Sequence, residues 1–81
     1  MTKVEAEYDR LRSIGCSVET ADALASVVAS LPSNRREAFY LWASGMSYRQ
    51  IERALHMSHR TINKMVDMVK LAYSVEAFGG E

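Results

Sequence analysis

Cysteine is all but missing from this 81-residue chain, where Cys16 stands alone. A single thiol closes no internal disulfide and has no second cysteine with which to share a metal, so the expected compartment is a reducing one. Proline is as scarce, with Pro32 the only one, and the four glycines sit at positions 15, 45, 79 and 80. Long segments are therefore left without helix breakers. No stretch alternates apolar and polar residues over a strand's length, so nothing predicts a sheet. The longest uncharged run, residues 23–34, is too short and too polar to cross a bilayer, and the start at Met1 lacks the apolar core of a signal peptide. The expectation is a cytoplasmic protein.

Net charge is also absent, since ten basic residues offset ten acidic ones. The distribution is uneven, however. Residues 1–30 carry Lys3, Arg10 and Arg12 against Glu5, Glu7, Asp9, Glu19 and Asp22, whereas residues 31–73 carry Arg35, Arg36, Arg49, Arg53, Arg60, Lys64 and Lys70 against Glu37, Glu52 and Asp67. An acidic front and a basic second half fit a molecule with one face for phosphate and another that avoids it.

What the chain does have is 48% hydrophobic residues against 25% charged, the balance of an ordinary globular domain with one small core. Caps divide it into helices. Val4, Tyr8, Leu11 and Ile14 form an apolar stripe ended by Gly15. Ser17 caps a second helix with Val18, Ala21, Leu24, Ala25 and Val28 inward, ending before Leu31-Pro32. Pro32 suits the first turn of a third helix with Ala38, Phe39, Leu41 and Trp42 as its apolar face and Gly45 as its stop.

The stretch GMSYRQIERALHMSHRTINKMV, residues 45–66, then breaks a good helix and restarts it at once. Ser47 with Gln50 forms a capping box, and the helix that follows turns Ile51 and Leu55 inward and ends at His56. Met57 plugs the turn. Ser58 caps a last helix with Ile62, Met65 or Val66, and Val69 inward. Two helices joined by so short a turn fold against each other, which is the helix-turn-helix arrangement. The predicted fold is all-α, a small bundle of four to five helices containing that unit, divided into a helical pair over residues 1–30, the helix-turn-helix unit over 31–73 and a flexible tail over 74–81.

The outward face of the last helix carries His59, Arg60, Asn63, Lys64 and Asp67. Arg and Lys donate to guanine acceptors and Asn pairs with adenine through a donor and an acceptor, so His59, Arg60, Asn63 and Lys64 are the candidate base readers. Arg35, Arg36, Arg49, Ser58 and Thr61 are the candidate phosphate contacts. The alternative reading of such a face is plain solvation, and the capping box, turn and apolar spacing together weigh against it.

At these residues a family resemblance enters. The run from Leu31 to Val69 resembles the C-terminal DNA-binding domain of LuxR-type regulators and, more loosely, region four of bacterial sigma factors. It rests on Leu31, Arg36-Glu37, Leu41, Ala43, Gly45 with Met46 and Ser47, Ile51, and LHMSHRTI from Leu55 to Ile62. The resemblance implies phosphate contacts by Arg49 and Thr61 and base-edge contacts by Asn63 and Lys64. The chain departs from the pattern at Glu52, Met65 and Asp67, and nothing in AYSVEAFGGE matches the family's dimerising fourth helix. No receiver or ligand-sensing domain is expected ahead of the unit.

Other chemistry is thin. His56 and His59 with Glu52 make a poor metal set, and no nucleophile elbow or glycine-rich phosphate loop occurs, so neither an enzyme, a cofactor nor a metal is expected. Met57 and Met65 read as core filler, Met46 and Met68 as its edge, and Trp42 as core. The expected function is sequence-specific reading of double-stranded DNA by a transcriptional regulator, as a homodimer through Val4, Tyr8, Leu11 and Ile14, with Val69, Tyr73 and Phe78 as a second candidate face. The competing expectation is a phage- or plasmid-type regulatory protein whose fold engages RNA polymerase or a host regulator.

Overall fold

A computed structural model describes the backbone of residues 2–77 and the side chains of residues 2–73. The helices are α1 (Lys3–Ser13), α2 (Val18–Ser30), α3 (Ser33–Ala43), α4 (Tyr48–Leu55) and α5 (His59–Ala77), with no strand among the described residues. This is the small all-α bundle that the periodicity and caps predict. α5 runs on through Ala77, over positions where the tail was expected. Residues 78–81, and with them Phe78 of the second candidate dimer face, lie outside the described residues.

Three of the turns share one local grammar. Each passes through a residue of positive φ, then an apolar residue that plugs the bend, then a serine that caps the next helix: Gly15-Cys16-Ser17, Gly45-Met46-Ser47 and His56-Met57-Ser58. At the two glycines the helix ends in a Schellman motif. Gly15 N–H donates to Arg12 O and Cys16 N–H to Leu11 O, both at 3.1 Å, and Gly45 and Met46 repeat the pattern onto Trp42 and Leu41. Glycine accommodates φ of 102° and 101° there without a Cβ penalty, whereas the third turn asks His56 to adopt φ 54°.

The serines then satisfy amides that a helix start leaves unpaired. Ser17 Oγ accepts from Thr20 N–H, Ser47 Oγ from Gln50 N–H and Ser58 Oγ from Thr61 N–H, each at 3.2 Å. Gln50 closes the capping box, its Oε1 accepting from Ser47 N–H at 2.9 Å. Pro32 differs from these, standing at the start of α3 with no side chain to offer as a cap.

Leu11, Ala21, Leu24, Ala25, Val28, Leu31, Ala38, Phe39, Ile51, Met57, Ile62, Met65, Val66 and Val69 are buried together, so α2 and α5 meet through a continuous apolar seam. Ile51 and Ile62 are fully enclosed, and each stabilises the crossing of α4 on α5 by about 1.5–3 kcal/mol through transfer from water. One expected inward residue is corrected, since Val18 is 51% exposed in the first turn of α2. Val4 and Ile14, at the two ends of the α1 stripe, are 43% and 46% exposed. The buried row of α1 is Glu7 and Leu11, one turn apart, with Tyr8 half-buried beside them. Trp42 is half-buried at the rim of the core, and Tyr40, not singled out in the sequence, lies inside it.

Candidate nucleic-acid interface

The short turn after α4 delivers the start of α5 next to the start of α3, because Met57 is buried between them and pins the bend. Two adjoining hollows result. One is lined by Leu31, Arg35, Arg60, Thr61, Lys64, Met65 and Met68. The other is lined by Pro32, Asn34, Arg35, His56, Met57, Ser58 and Thr61, so Arg35 and Thr61 stand between the two. Neither is lined by a carboxylate, and every formal charge around them is positive.

Ser58 and Thr61 are tied to each other, with their hydroxyl oxygens 2.9 Å apart. That bond consumes one of the two hydroxyl protons, while Ser58 Oγ also accepts the Thr61 amide, so one O–H donor remains to be offered outward. It lies at the positive end of the α5 dipole, in the first turn, next to the Arg35 guanidinium. Such an arrangement matches an anion bearing several acceptor oxygens.

Of the nine candidate contact residues, Arg35, Ser58, Arg60, Thr61 and Lys64 are therefore brought together. Asn63 and Arg49 are exposed on α5 and in the first turn of α4, line neither hollow, and make no hydrogen bond or ion pair among the described residues. Arg36 is half-buried one turn before Tyr40, close enough to exert a charge effect on its phenol, and is not part of the cationic lining. His59 is exposed but engaged. Its Nδ1 lies 3.6 Å from Glu52 Oε2, and its ring rests 5.1 Å from that of Tyr48. Glu52, one of the departures from the family pattern, is half-buried and holds the first residue of α5 against α4.

Asn34 is the residue that sequence reasoning passed over. It lines the second hollow opposite Ser58 and Thr61, and its Oδ1 accepts from Arg35 N–H at 2.9 Å. An asparagine in the first turn of a helix can reach an amide that the helix leaves free there, which offered a way to find it. No group of three or more metal-ligating side chains occurs among the described residues. Of the expected dimer stripe on α1, Leu11 is fully enclosed by the chain's own core, and in the second candidate face Val69 is likewise spent. Among the described side chains of α5, Met68 at 43% and Leu71 at 68% are the large apolar ones that are exposed.

The family described as Sigma-70, region 4 matches residues 21–68, from within α2 to the middle of α5. The match contains both hollows and leaves α1 outside it. No curated protein and no solved structure matches the chain.

Proposed function

The chain belongs to the sigma-70 region 4 family of helix-turn-helix DNA-binding domains, and on that premise we propose that it reads double-stranded DNA in a sequence-specific way as a transcriptional regulator. The observation that carries this reading is the all-cationic lining, where Arg35, Arg60 and Lys64 converge with the Ser58–Thr61 hydroxyl pair around the start of α5. In the proposed docking, α5 enters the major groove with Arg60, Asn63 and Lys64 at base edges, while Arg35, Arg49, Ser58 and Thr61 fix register on phosphates. His59, held by Glu52 and Tyr48, orients the start of α5.

A single recognition helix spans only a few base pairs, so useful specificity calls for a second copy at a neighbouring half-site. In a two-fold dimer a surface meets itself, and α1 would set Glu5 and Asp9 against their own copies. Met68 and Leu71 on α5 are exposed and apolar, which supports that face instead. The test of the whole reading is duplex binding against salt. Roughly four to six neutralised phosphates per protomer give a log–log slope of about −3.6 to −5.4, at about −0.9 per phosphate. A flat response would remove the proposal.

A further inference from the structure

Away from the cationic hollows, α1 and α2 enclose a groove of about 590 Å³. Val4, Tyr8 and Ala25 line it as its apolar part, and Glu5, Asp9 and Asp22 line it with charge; no lysine or arginine does. Among the described residues none of these carboxylates joins a salt bridge. Glu5 accepts the Thr2 hydroxyl at 3.2 Å, and Asp9 and Asp22 have no hydrogen-bond partner. The cation that follows Asp9 is committed elsewhere, since Arg10 pairs with Glu37 of α3 at 3.3 Å and lies over the Tyr40 ring at 3.8 Å.

Three unpaired carboxylates around an apolar floor repel one another and leave Val4 43% exposed. Both costs fall when a segment lays an apolar side chain on the floor and brings Lys or Arg to the rim. The same charge excludes two other occupants. A nucleic-acid phosphate is repelled, and a second copy docked through this face would bring the same carboxylates with it.

We propose that the α1–α2 groove docks a basic, amphipathic segment of a partner protein. One apolar side chain rests on Val4, Tyr8 and Ala25, and Lys or Arg side chains pair with Glu5, Asp9 and Asp22. The site shares no residue with the two cationic hollows, so DNA and the partner bind together and the chain works as an adaptor between them. The α1 half of this surface lies outside the segment that matches the family, whereas Asp22 and Ala25 of α2 lie inside it. The adaptor role rests on the DNA reading, whereas the docking itself does not.

The test is an amide-shift titration of the isotope-labelled chain with a synthetic leucine–lysine amphipathic peptide of about 14 residues, four helical turns. The control peptide carries glutamate in place of every lysine. Saturable shifts are expected at Val4, Glu5, Tyr8, Asp9, Asp22 and Ala25, and none with the control. Asp9→Asn with Asp22→Asn, both exposed, should weaken binding on the order of tenfold, two surface ion pairs' worth. Val4→Ser should weaken it several-fold. Shifts scattered over the surface, equal binding of the control peptide, full affinity in the double variant, or indifference to Val4→Ser would each overturn the proposal. So would concentration-dependent shifts of the groove residues without peptide, which would make a second copy the occupant. A flat salt response on duplex DNA would leave these outcomes untouched and sink only the DNA reading and the adaptor role that rests on it.

Discussion

Tyr40 donates its phenolic proton to Glu7 Oε1 at 2.7 Å, joining α3 to α1 across 33 positions of sequence. It is the one buried side-chain hydrogen bond among the described residues, between a tyrosine 5% exposed and a carboxylate 8% exposed. Arg10 covers the Tyr40 ring and continues to Glu37, so α1 is fastened to α3 by a polar clasp and to α2 by apolar packing. The element so fastened is the one that carries Arg35 at its start.

Breaking that clasp on one side should cost more than removing it whole. Tyr40→Phe leaves a buried carboxylate without its donor, an expected loss of about 1–3 kcal/mol. Glu7→Leu in the same background restores much of it, because neither polar group is then stranded. Urea midpoints for the two single variants and the double one give the coupling directly. Additive losses would mean that the two residues do not act as a pair.

The same contact gives a pH dependence. Burial, and then the hydrogen bond and charge of Glu7, push the Tyr40 phenol well above its ordinary value of 10.0. The fold thus favours the neutral phenol. Its contribution is complete below about pH 10, where the unfolded tyrosine is neutral too, and is lost as pH rises from there toward the folded value. Urea midpoints should therefore fall more steeply above pH 10 in the parent chain than in Tyr40→Phe. Parallel curves would contradict this.

The local devices were readable because their partners sit within five positions of each other. The Ser47–Gln50 capping box, the Gly15 and Gly45 stops and the Ser58 cap all appear where sequence spacing puts them. Ile51 and Ile62 were readable as core for a related reason, since a helix restarted after three residues has only one face left to bury. The Glu7–Tyr40 bond was not, because Phe39, Tyr40, Leu41 and Trp42 are four consecutive bulky residues and period alone does not choose which turn inward. Glu52 stood out as a departure from the family pattern, but its pairing with His59 follows only from how the turn brings the two helices together. The convergence of Arg35 with Ser58 and Thr61 is likewise tertiary, set by Met57 in the bend.

The turn grammar makes its own prediction. His56 holds φ 54° where the other two turns use glycine, and its side chain makes no hydrogen bond among the described residues. His56→Gly should raise stability by up to about 1 kcal/mol by removing the left-handed Cβ penalty, partly offset by the freer unfolded chain. Gly45→Ala should cost about 1–2 kcal/mol through backbone strain alone, since an added Cβ there meets no atom within 4 Å. Thermal midpoints separate the two directions, and a destabilised His56→Gly would show that this bend is held by something other than backbone preference.

Reading and positioning should separate in binding data. Asn63→Ala and Lys64→Ala remove exposed groups from α5 without touching the core, so each is expected to cost about 1–3 kcal/mol on a specific site and little on random duplex. Arg35→Ala and Arg49→Ala should weaken all sequences alike and lower the salt slope by about one each. His59→Ala tests the Glu52 and Tyr48 contacts: if His59 orients α5 and reads no base, its loss falls equally on every sequence and is reproduced by Glu52→Ala. Ile62→Ala, fully enclosed, serves as the stability control at about 2–5 kcal/mol. Selections from a randomised duplex pool give the decisive measurement. A shifted preferred sequence in Asn63→Ala and Lys64→Ala, with none in His59→Ala, is the expected pattern, whereas a shift in His59→Ala alone would move the reading edge of α5 one turn toward its start.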